Sequence, residues 1–514
     1  MGFSKPLATL LVALASLATA NSTNCILWNS CNITGPIGSV PGECGKMLVP
    51  LDYTNPNSTQ RLEIEILRIP ATKQPKKGSI FLNFGGPGAS GIEDFATFIE
   101  EIKAATGGYH DLVNVIPRGT NNTMPFSCYT SQASRYVGEK PLATNASDVA
   151  LAEVWAQSSI FVSACETLQN DTGRLIGTAF TARDTMQVVE ALEEDKMLRY
   201  WGFSYGTLLG ATLVAMFPDK IDKIVLDGVV NPFEYYQNTE SERMASVDDV
   251  IRGFASGCVA APTACPLAQN MTSTQLEESL YISLEQLKQS PIPLPDIATL
   301  GGGTLIDYST FKSYIVSMLD FPQLWPEMAQ TLAGLSSPAS NPPPARTADA
   351  EALWGIKCSD VLTHAGSAIE LLPVIQARRS LSRFEGDATD NLLFRCAQWK
   401  MPAKERYSGD WNVKTKNPIL IVNNRYDPVT PLVSAKNVSD TFQGSVLLEQ
   451  VSYGHDSMQQ GSLCTAKAIR AYFTNGELPK NGTVCDDLKV KLFSGKTGWD
   501  EVIQELNADP VNLG

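Results

Sequence analysis

Apolar positions recur along this chain with two periods, and each period predicts a different kind of secondary structure. Residues 61–70, RLEIEILRIP, alternate apolar and polar positions, which predicts a half-buried strand. Continuous apolar runs such as 79–84, SIFLNF, predict buried strands. The predicted strands are 61–70, 79–84, 111–116, 198–203, 221–227, 418–424 and 445–451, and the predicted helices are 91–104, 181–195, 205–216 and, as the last one, 462–474. This alternation predicts an α/β protein with a mostly parallel sheet flanked by helices.

The alternation is interrupted in the second half of the chain. From Pro232 to about residue 405 the pattern is helical, with proline-rich breaks such as SSPASNPPP at 336–344. We therefore predict an α/β core in two parts, residues 21–231 and 406–514, with a mainly helical cap inserted at 232–405.

The first 20 residues have the pattern of a secretory signal peptide. Lys5 supplies a positive charge, Leu7 to Leu17 are apolar, and Ala18-Thr19-Ala20 is a small-x-small cleavage site. The alternative is that this segment stays uncleaved and acts as an anchor. Elsewhere in the sequence, no run has the ~18 apolar residues that a membrane helix needs. We expect a secreted, extracellular protein that begins near Asn21. Nine N-x-S/T sequons are candidate glycosylation sites, at Asn21, Asn32, Asn57, Asn121, Asn145, Asn170, Asn270, Asn437 and Asn481.

The chain has 11 cysteines, which in a secreted protein predicts disulfide bonds. No C-x-x-C pair occurs, so thioredoxin chemistry and zinc ribbons are disfavoured. Spacing alone does not determine the connectivity and leaves Cys25 over. The pairs suggested by spacing are Cys258–Cys265 and Cys464–Cys485, with Cys31–Cys44, Cys128–Cys165 and Cys358–Cys396 as further candidates.

The net negative charge of the chain disfavours anionic binding partners. The formal net charge is −14 and the isoelectric point is about 4.9. Such a chain repels phosphate backbones and anionic lipid head groups, so we expect neither nucleic acid nor a membrane surface as a partner. Only His110, His364 and His455 are available to a mechanism that needs an imidazole.

The sequence Gly202-Phe203-Ser204-Tyr205-Gly206 is a G-x-S-x-G motif between an apolar strand and an apolar helix. A nucleophilic serine must sit on a tight turn that raises its hydroxyl above the sheet edge, and glycines on both sides leave room for that turn. The dipole of the following helix points its positive end at the same place. We predict Ser204 as the nucleophile.

A tetrahedral oxyanion needs about two backbone N–H donors. Tyr205 follows the serine and is one candidate, and the glycine cluster at 85–91 supplies the other, with Gly86 preferred and Gly85 second. The same cluster formally matches a dinucleotide fingerprint. That fingerprint requires an acidic residue at the end of the next strand, which here ends Val115-Ile116-Pro117, so nucleotide binding is disfavoured.

His455 follows the last predicted strand, where a base can reach over the serine, so we predict it as the general base. Asp427, after the strand at 418–424, is the predicted carboxylate that orients the imidazole. Asp227 is the competitor, and Asp456 adjoins the base. The order Ser, Asp, His is the chain order of α/β-hydrolases.

Taken together, these motifs resemble the secreted tripeptidyl-aminopeptidase-like serine hydrolases, which are related to the prolyl aminopeptidases. The matching segments are GGPGASG at 85–91, WGFSYGT at 201–207, MFP at 216–218, LDGV at 226–229, VPLDY at 49–53, CSD at 358–360, CAQW at 396–399 and the loops of Asp427 and His455. The resemblance spans about residues 28 to 490. It implies an α/β-hydrolase with a cap, no metal or cofactor, and cap carboxylates that hold the amino terminus of a peptide. Glu234, Glu240 and Asp360 are the candidates for that role.

One loop departs from the family pattern. Ile116 stands where the family has an aspartate before Pro-Arg-Gly, and the following loop, 121–125, lacks the usual glycine-serine ending. We expect this loop to border the site, so the substrate could differ from that of the peptidases.

The leading hypothesis is a monomeric secreted serine exopeptidase that releases short N-terminal fragments from peptides. An esterase, lactonase or amidase with the same triad is the alternative, because a fold does not fix a substrate. A non-catalytic binding protein is a third, and the intact set of candidate residues argues against it. We expect the cap to cover Ser204 and to restrict the length of the substrate.

Overall fold

The computed structural model describes residues 25–138, 140–296, 302–335 and 350–508. Within these ranges, ten strands form one sheet in the order β1-β2-β3-β5-β4-β6-β7-β10-β11-β12, and β8 and β9 form a separate hairpin. The strands are β1 Leu27–Gly35, β2 Gly38–Pro50, β3 Arg61–Ile69, β4 Ser79–Asn83, β5 Asp111–Val115, β6 Leu198–Phe203, β7 Ile221–Asp227, β8 Ile292–Asp296, β9 Gly302–Ile306, β10 Leu420–Tyr426, β11 Val446–Tyr453 and β12 Thr483–Cys485.

The sheet is antiparallel at one end and parallel over the rest of its width. β1, β2, β3 and β5 pair antiparallel, whereas β5, β4, β6, β7, β10, β11 and β12 pair parallel. Every residue of β4, β5 and β6 is buried, as strands covered by helices on both faces require. Phe203 and Val422 both pair with Asp227, so the carboxyl ends of β6, β7 and β10 lie side by side.

Helices cover both faces of the sheet, with one large apolar cluster on each face. Together with the parallel strands, this is an α/β-hydrolase fold. The helices are α1 Ile92–Thr97, α2 Ile99–Thr106, α3 Gln132–Gly138, α4 Ala150–Gln169, α5 Thr178–Ala191, α6 Tyr205–Met216, α7 Pro232–Gln237, α8 Val247–Ala260, α9 Ser273–Gln289, α10 Tyr308–Leu319, α11 Trp325–Gly334, α12 Ala350–Asp360, α13 Leu372–Leu381, α14 Asp390–Ala397, α15 Leu432–Thr441, α16 Leu463–Asn475 and α17 Trp499–Ala508.

The segment between β7 and β10 adds no described strand to the large sheet. Its first part, from α8 to α11, packs around its own apolar cluster, whose members include Phe254, Phe311 and Trp325. Its second part packs partly on the core, because Ile356 and Trp399 belong to the cluster that includes the nucleophile helix α6. The inserted helices therefore rest on the core through more than one contact.

Several elements differ from the sequence prediction. The helix predicted at 91–104 is divided at Phe98, where φ is −99° and ψ is 11°, into α1 and α2. The helix at 462–474 is not the last, because α17 follows it and packs against α2. The strands β1, β2, β8, β9 and β12 were not predicted, because their sequence patterns are too short or too irregular.

Five disulfide bonds occur in the structure, and they join the five pairs that spacing suggested, while Cys25 is free and exposed. Eight of the nine sequon asparagines lie in described ranges, and all eight are exposed, as attached glycans would require. The predicted signal peptide and Asn21 lie outside the described residues. No described helix is long and apolar enough to cross a membrane.

Candidate active site

Ser204 occupies the sharp turn between β6 and α6. Its φ of 56° and ψ of −128° lie in a region that residues with a side chain rarely adopt. A Cβ on Gly202 would lie 2.3 Å from the Gly206 carbonyl oxygen, and one on Gly206 would lie 2.2 Å from that of Asn83. Both glycines are therefore required by close backbone contacts, which is the physical reason for the G-x-S-x-G spacing.

Hydrogen bonds to β7 and to the first turn of α6 fix the backbone of this turn. The Ser204 N–H donates to the Asp227 carbonyl at 3.1 Å, and the Ser204 carbonyl accepts from the Thr207 N–H at 2.8 Å and from its hydroxyl at 2.6 Å. These bonds hold the strained backbone in place, so the hydroxyl of Ser204 stands at the carboxyl edge of the sheet.

The glycine cluster lies directly against this turn. A Cβ on Gly85 would lie 2.8 Å from Cβ of Ser204 and 2.9 Å from the Tyr205 nitrogen. The Gly85 N–H donates to Asn83 Oδ1 at 3.1 Å, so it is already occupied. Gly86 and Tyr205 line the same pocket as Ser204, which favours their two N–H groups over that of Gly85 as oxyanion donors.

His455 and Asp427 form a direct pair. Nδ1 of His455 lies 3.1 Å from both carboxylate oxygens of Asp427. The carboxylate is fully buried and also accepts hydrogen bonds from the N–H groups of Val429 and Thr430 at 2.8 and 2.7 Å. These donors fix its orientation, so it can hold the imidazole in one position.

The other ring nitrogen, Nε2 of His455, is buried and makes no hydrogen bond with any described residue. A hydrogen bond from the Ser204 hydroxyl to this nitrogen is therefore not formed in the described structure. Such catalytic hydrogen bonds are often long in unliganded enzymes and tighten when substrate binds.

Electrostatics make His455 a stronger base. Burial lowers the pKa of His455, but the Asp427 carboxylate outweighs this and raises the pKa to about 9. Conversely, burial raises the pKa of Asp427, and its contact with His455 more than reverses that effect. The pair is therefore stabilised in its charged form.

Three other aspartates lie near the histidine, and one of them, Asp320, accepts from the His455 N–H through its backbone carbonyl at 3.0 Å. Asp227 accepts from the N–H and the hydroxyl of Ser457 at 2.9 and 2.6 Å, and burial raises its pKa to about 6. Asp456 accepts from the Met458 N–H at 2.9 Å. Neither carboxylate contacts the imidazole in the described structure, so Asp427 is the residue placed to orient it.

Asn424 is a residue that the sequence analysis missed. Its buried side-chain amide donates to the carbonyls of Gly454 and Asp456, at 2.8 and 2.5 Å, on the two sides of His455. The sequence contained no signal for this contact, because the two segments are 30 residues apart and an asparagine after a strand is common. The geometry gives Asn424 the role of a positioning residue for the base.

Asn424→Asp is expected to lower kcat about 10- to 100-fold while KM stays within about twofold. The substitution is isosteric, but it replaces both donors by a carboxylate oxygen that repels two carbonyls, each of which costs about 1–3 kcal/mol when left unpaired. Steady-state kinetics checks this, with the exposed Asn412→Asp as control. Unchanged kcat in a folded variant would show that the loop of His455 is held by other contacts.

A pocket of about 660 Å³, partly open to solvent, extends from Ser204 beneath the inserted segment. Part of its lining is aliphatic and includes Val229, Val230, Leu353, Leu392 and Val429. Residues of the inserted segment thus form part of the wall above the nucleophile.

Three carboxylates also line this pocket. They belong to Glu234 on α7, to Glu240 and to Glu242, and the sequence analysis did not identify the last of these. Glu240 pairs with buried Lys357 at 3.0 Å. Glu234 accepts from the Glu242 N–H at 2.8 Å, and Glu242 accepts from Asn231 Nδ2 and the Ser434 hydroxyl at 3.0 and 2.8 Å.

These contacts distinguish the three glutamates. Burial raises the pKa of Glu240, but Lys357 outweighs it and the net shift is downward. Burial raises the pKa of Glu234, and the charges of Glu242 and Glu240 add to that rise. The hydrogen-bond donors to Glu234 and Glu242 are neutral, whereas Glu240 is paired with Lys357; Arg243 also lines the pocket.

Asp360 is a correction to the sequence analysis. It does not line this pocket but is fully buried, where it accepts from the N–H and the hydroxyl of Thr178 and from the Tyr235 hydroxyl. Burial raises its pKa to about 6. With its oxygens occupied and no access from the pocket, Asp360 cannot hold an amino terminus.

The loop after Ile116 is also placed differently from the prediction. Asn121 and Asn122 donate to the Glu65 carboxylate on β3, and no residue of 116–125 lines the pocket of Ser204. The loop lies at the antiparallel end of the sheet, so its departure from the family pattern does not act on this pocket directly.

The remaining histidines lie elsewhere. His110 is buried at the start of β5, where burial lowers its pKa to about 3, and its ring packs on Phe473. His364 lines a different cavity, in the inserted segment. His455 is therefore the histidine at the carboxyl edge of the sheet near Ser204.

The fold, the serine turn and the buried His–Asp pair define a serine hydrolase of the α/β-hydrolase class. Comparison with known proteins agrees. The family described as "TAP-like protein" matches residues 382–485. The chain is 27% identical to "Serine protease Hip1" of Mycobacterium tuberculosis over 487 residues, which covers 89% of this chain and 90% of that protein.

Two further relatives align over most of their length. The chain is 26% identical to "Tripeptidyl aminopeptidase" of Streptomyces lividans, covering 92% of this chain and 88% of that protein. It is 27% identical to "Carboxylesterase B" of M. tuberculosis, covering 89% of each chain. The chain is thus similar to tripeptidyl-aminopeptidase-like α/β-hydrolases over most of its length, and it is an enzyme.

Proposed function

We propose that this protein is a secreted exopeptidase that releases short N-terminal fragments from peptides through Ser204, Asp427 and His455. The observation that carries the proposal is that Ser204 and the glutamates Glu234 and Glu242 line the same pocket. A peptide with a free amino terminus complements such a pocket, because its cation and its scissile carbonyl have separate partners.

The proposed reaction uses these residues in the order of a serine hydrolase. Nε2 of His455 takes the proton of the Ser204 hydroxyl as the oxygen attacks the scissile carbonyl carbon. The N–H groups of Gly86 and Tyr205 stabilise the resulting oxyanion. The imidazolium, stabilised by Asp427, then protonates the leaving amine, and the C–N bond breaks to give an acyl-enzyme.

Water completes the cycle. His455 removes a proton from a water molecule, which attacks the ester carbonyl of the acyl-enzyme and releases the N-terminal fragment. The aliphatic residues of the pocket lining suit short apolar side chains at the first positions of the substrate. Charged side chains there would lose hydration without gaining a partner.

Glu234 and Glu242 are proposed to hold the α-ammonium group. Each carboxylate already accepts hydrogen bonds from neutral donors, which fix its position. Hydrogen bonds to charged groups contribute about 1.5–3 kcal/mol, enough for a 10- to 100-fold preference over an N-acylated substrate. Glu240 is less suited, because Lys357 neutralises it.

Paired chromogenic substrates test the proposed function. One set has a free amino terminus on one to three residues, and the matched set is N-acylated, with a short-chain ester alongside. Turnover of the free-amino set alone is expected. Turnover of the ester alone would contradict the peptidase proposal and favour the alternative, an activity like that named for the carboxylesterase relative.

Glu234→Gln and Glu242→Gln are each expected to lower kcat/KM for the free-amino substrates about 10- to 100-fold, because each removes a charge that attracts the ammonium group. Any residual turnover of the N-acylated substrates should be unchanged. The exposed Glu477→Gln is the control. An equal loss on both substrate sets would show that these glutamates maintain the pocket rather than bind the amino terminus.

A further inference from the structure

Helix α15 connects a glycosylation sequon to the wall of the pocket. The helix starts immediately after Pro431, and both Pro431 and Ser434 line the pocket. Asn437, which begins the sequon Asn437-Val438-Ser439, lies three residues after Ser434 and therefore on the same face of the helix. The sequon thus lies beside the pocket.

A direct contact joins the sequon to a pocket carboxylate. Nδ2 of Asn437 donates to one oxygen of Glu242, and the Ser434 hydroxyl donates to the other at 2.8 Å. Asn437 is itself exposed. Nδ2 is the atom to which an N-linked glycan attaches, so a glycan there would stand next to Glu242.

The other described sequons lack this arrangement. Asn121 donates to Glu65, far from the pocket lining, and the remaining described sequon asparagines make no contact with a residue that lines the pocket of Ser204. Among the described sequons, Asn437 is therefore the one at which a glycan would affect how substrate enters the pocket.

We propose that Asn437 carries an N-linked glycan that closes the pocket beside Glu242, where the amino terminus of the substrate would bind. The glycan thereby limits how many residues can precede the scissile bond. This inference rests on the proposed function, in which Glu242 marks the position of the amino terminus. A chain extended beyond that point would have to pass the glycan, whereas a short fragment would not.

The modification itself uses a lipid-diphosphate-linked oligosaccharide of the secretory pathway as co-reactant. Nδ2 of Asn437 attacks the anomeric carbon, a C–N bond forms, and the C–O bond to the diphosphate breaks. The lipid diphosphate leaves with the bonding electrons, and one amide proton is lost. Nδ2 keeps its second hydrogen, so it can still donate to Glu242.

The experiment compares the full chain with two variants, all secreted from a glycosylating eukaryotic host. Ser439→Ala removes the sequon but keeps Asn437, whereas Ser439→Thr keeps the sequon. Glycopeptide mass spectrometry reports occupancy of Asn437. Activity is measured as kcat/KM on a tripeptidyl substrate and on the same substrate extended by three N-terminal residues. Labelling rates of Ser204 with a small and a bulky fluorophosphonate are measured in parallel.

The wild type and Ser439→Thr are expected to carry the glycan and to favour the short substrate. In Ser439→Ala the extended-to-short ratio should rise at least fivefold, and the bulky-to-small labelling ratio should rise with it. An unoccupied Asn437 in the wild type would overturn the proposal, as would unchanged ratios in Ser439→Ala. If neither peptide is cleaved by any form, the proposed function fails, and the labelling ratio alone decides whether the glycan narrows the pocket.

Discussion

Ser204→Ala is expected to lower kcat at least about 10⁴-fold on every substrate that the enzyme turns over. The substitution removes the oxygen that forms the acyl-enzyme, and only binding and the oxyanion donors remain to accelerate hydrolysis. Alanine keeps the Cβ of Ser204 and loses only the hydroxyl, so the fold should be unaffected. Steady-state assays and labelling with a fluorophosphonate probe check the prediction.

The exposed Ser131→Ala is a suitable control for that experiment, because it removes a hydroxyl far from the pocket lining. It should retain full activity and full labelling. Labelling of Ser204→Ala at the wild-type rate would place the reactive serine elsewhere. Loss of activity together with loss of cooperative unfolding would mean that the turn, rather than the chemistry, had been damaged.

Asp427→Asn is expected to lower kcat about 10⁴-fold and to change the pH profile. The amide cannot stabilise the imidazolium and favours the wrong tautomer of His455. The base must be neutral to accept a proton, so wild-type kcat/KM should rise with pH until it levels off near the His455 pKa of about 9. Removal of the carboxylate charge takes away the effect that raises this pKa, so the acid limb of the variant should move to lower pH.

Measurement of kcat/KM from pH 5 to 10 tests both parts, with the exposed Asp440→Asn as control. The control should keep the wild-type rate and profile. A variant with reduced kcat but an unshifted acid limb would show that His455 is not the group that titrates. Full activity of Asp427→Asn would transfer the orienting role to another carboxylate, of which buried Asp227 is the nearest in the sheet.

Local patterns were sufficient to predict the parallel core. β6, α6 and β7 begin and end at the predicted residues, because a continuous apolar strand, a glycine-flanked turn and an apolar helix are each readable over a few positions. The same logic located Ser204, Asp427 and His455, since carboxyl ends of neighbouring parallel strands meet at one edge of a sheet. Their catalytic roles remain predictions until the substitutions above are made.

The acidic residues that could bind the amino terminus of a substrate were only partly predictable. Glu234 and Glu240 line the pocket as expected, but Asp360 is buried against Thr178, and Glu242 was not identified. An acidic residue in a helical segment has the same sequence signature whether it faces a cavity, a lysine or a buried hydroxyl. Its partners come from elements far away in the chain, so the sequence does not distinguish these outcomes.

The sequence by itself determined the class of the protein, the order of its core elements and the residues capable of the chemistry, because each of these depends on short-range periodicity and spacing. Only the tertiary structure decided which carboxylates face the pocket, that Asn424 spans the carbonyls on both sides of His455, and that the Asn437 amide contacts Glu242. Those contacts join residues separated by up to 195 positions. The pocket lining and the Asn437 contact depend on how the inserted segment packs on the core, and the Asn424 contacts depend on how β10 meets the loop after β11. Each is a property of the folded chain and of no local pattern within it.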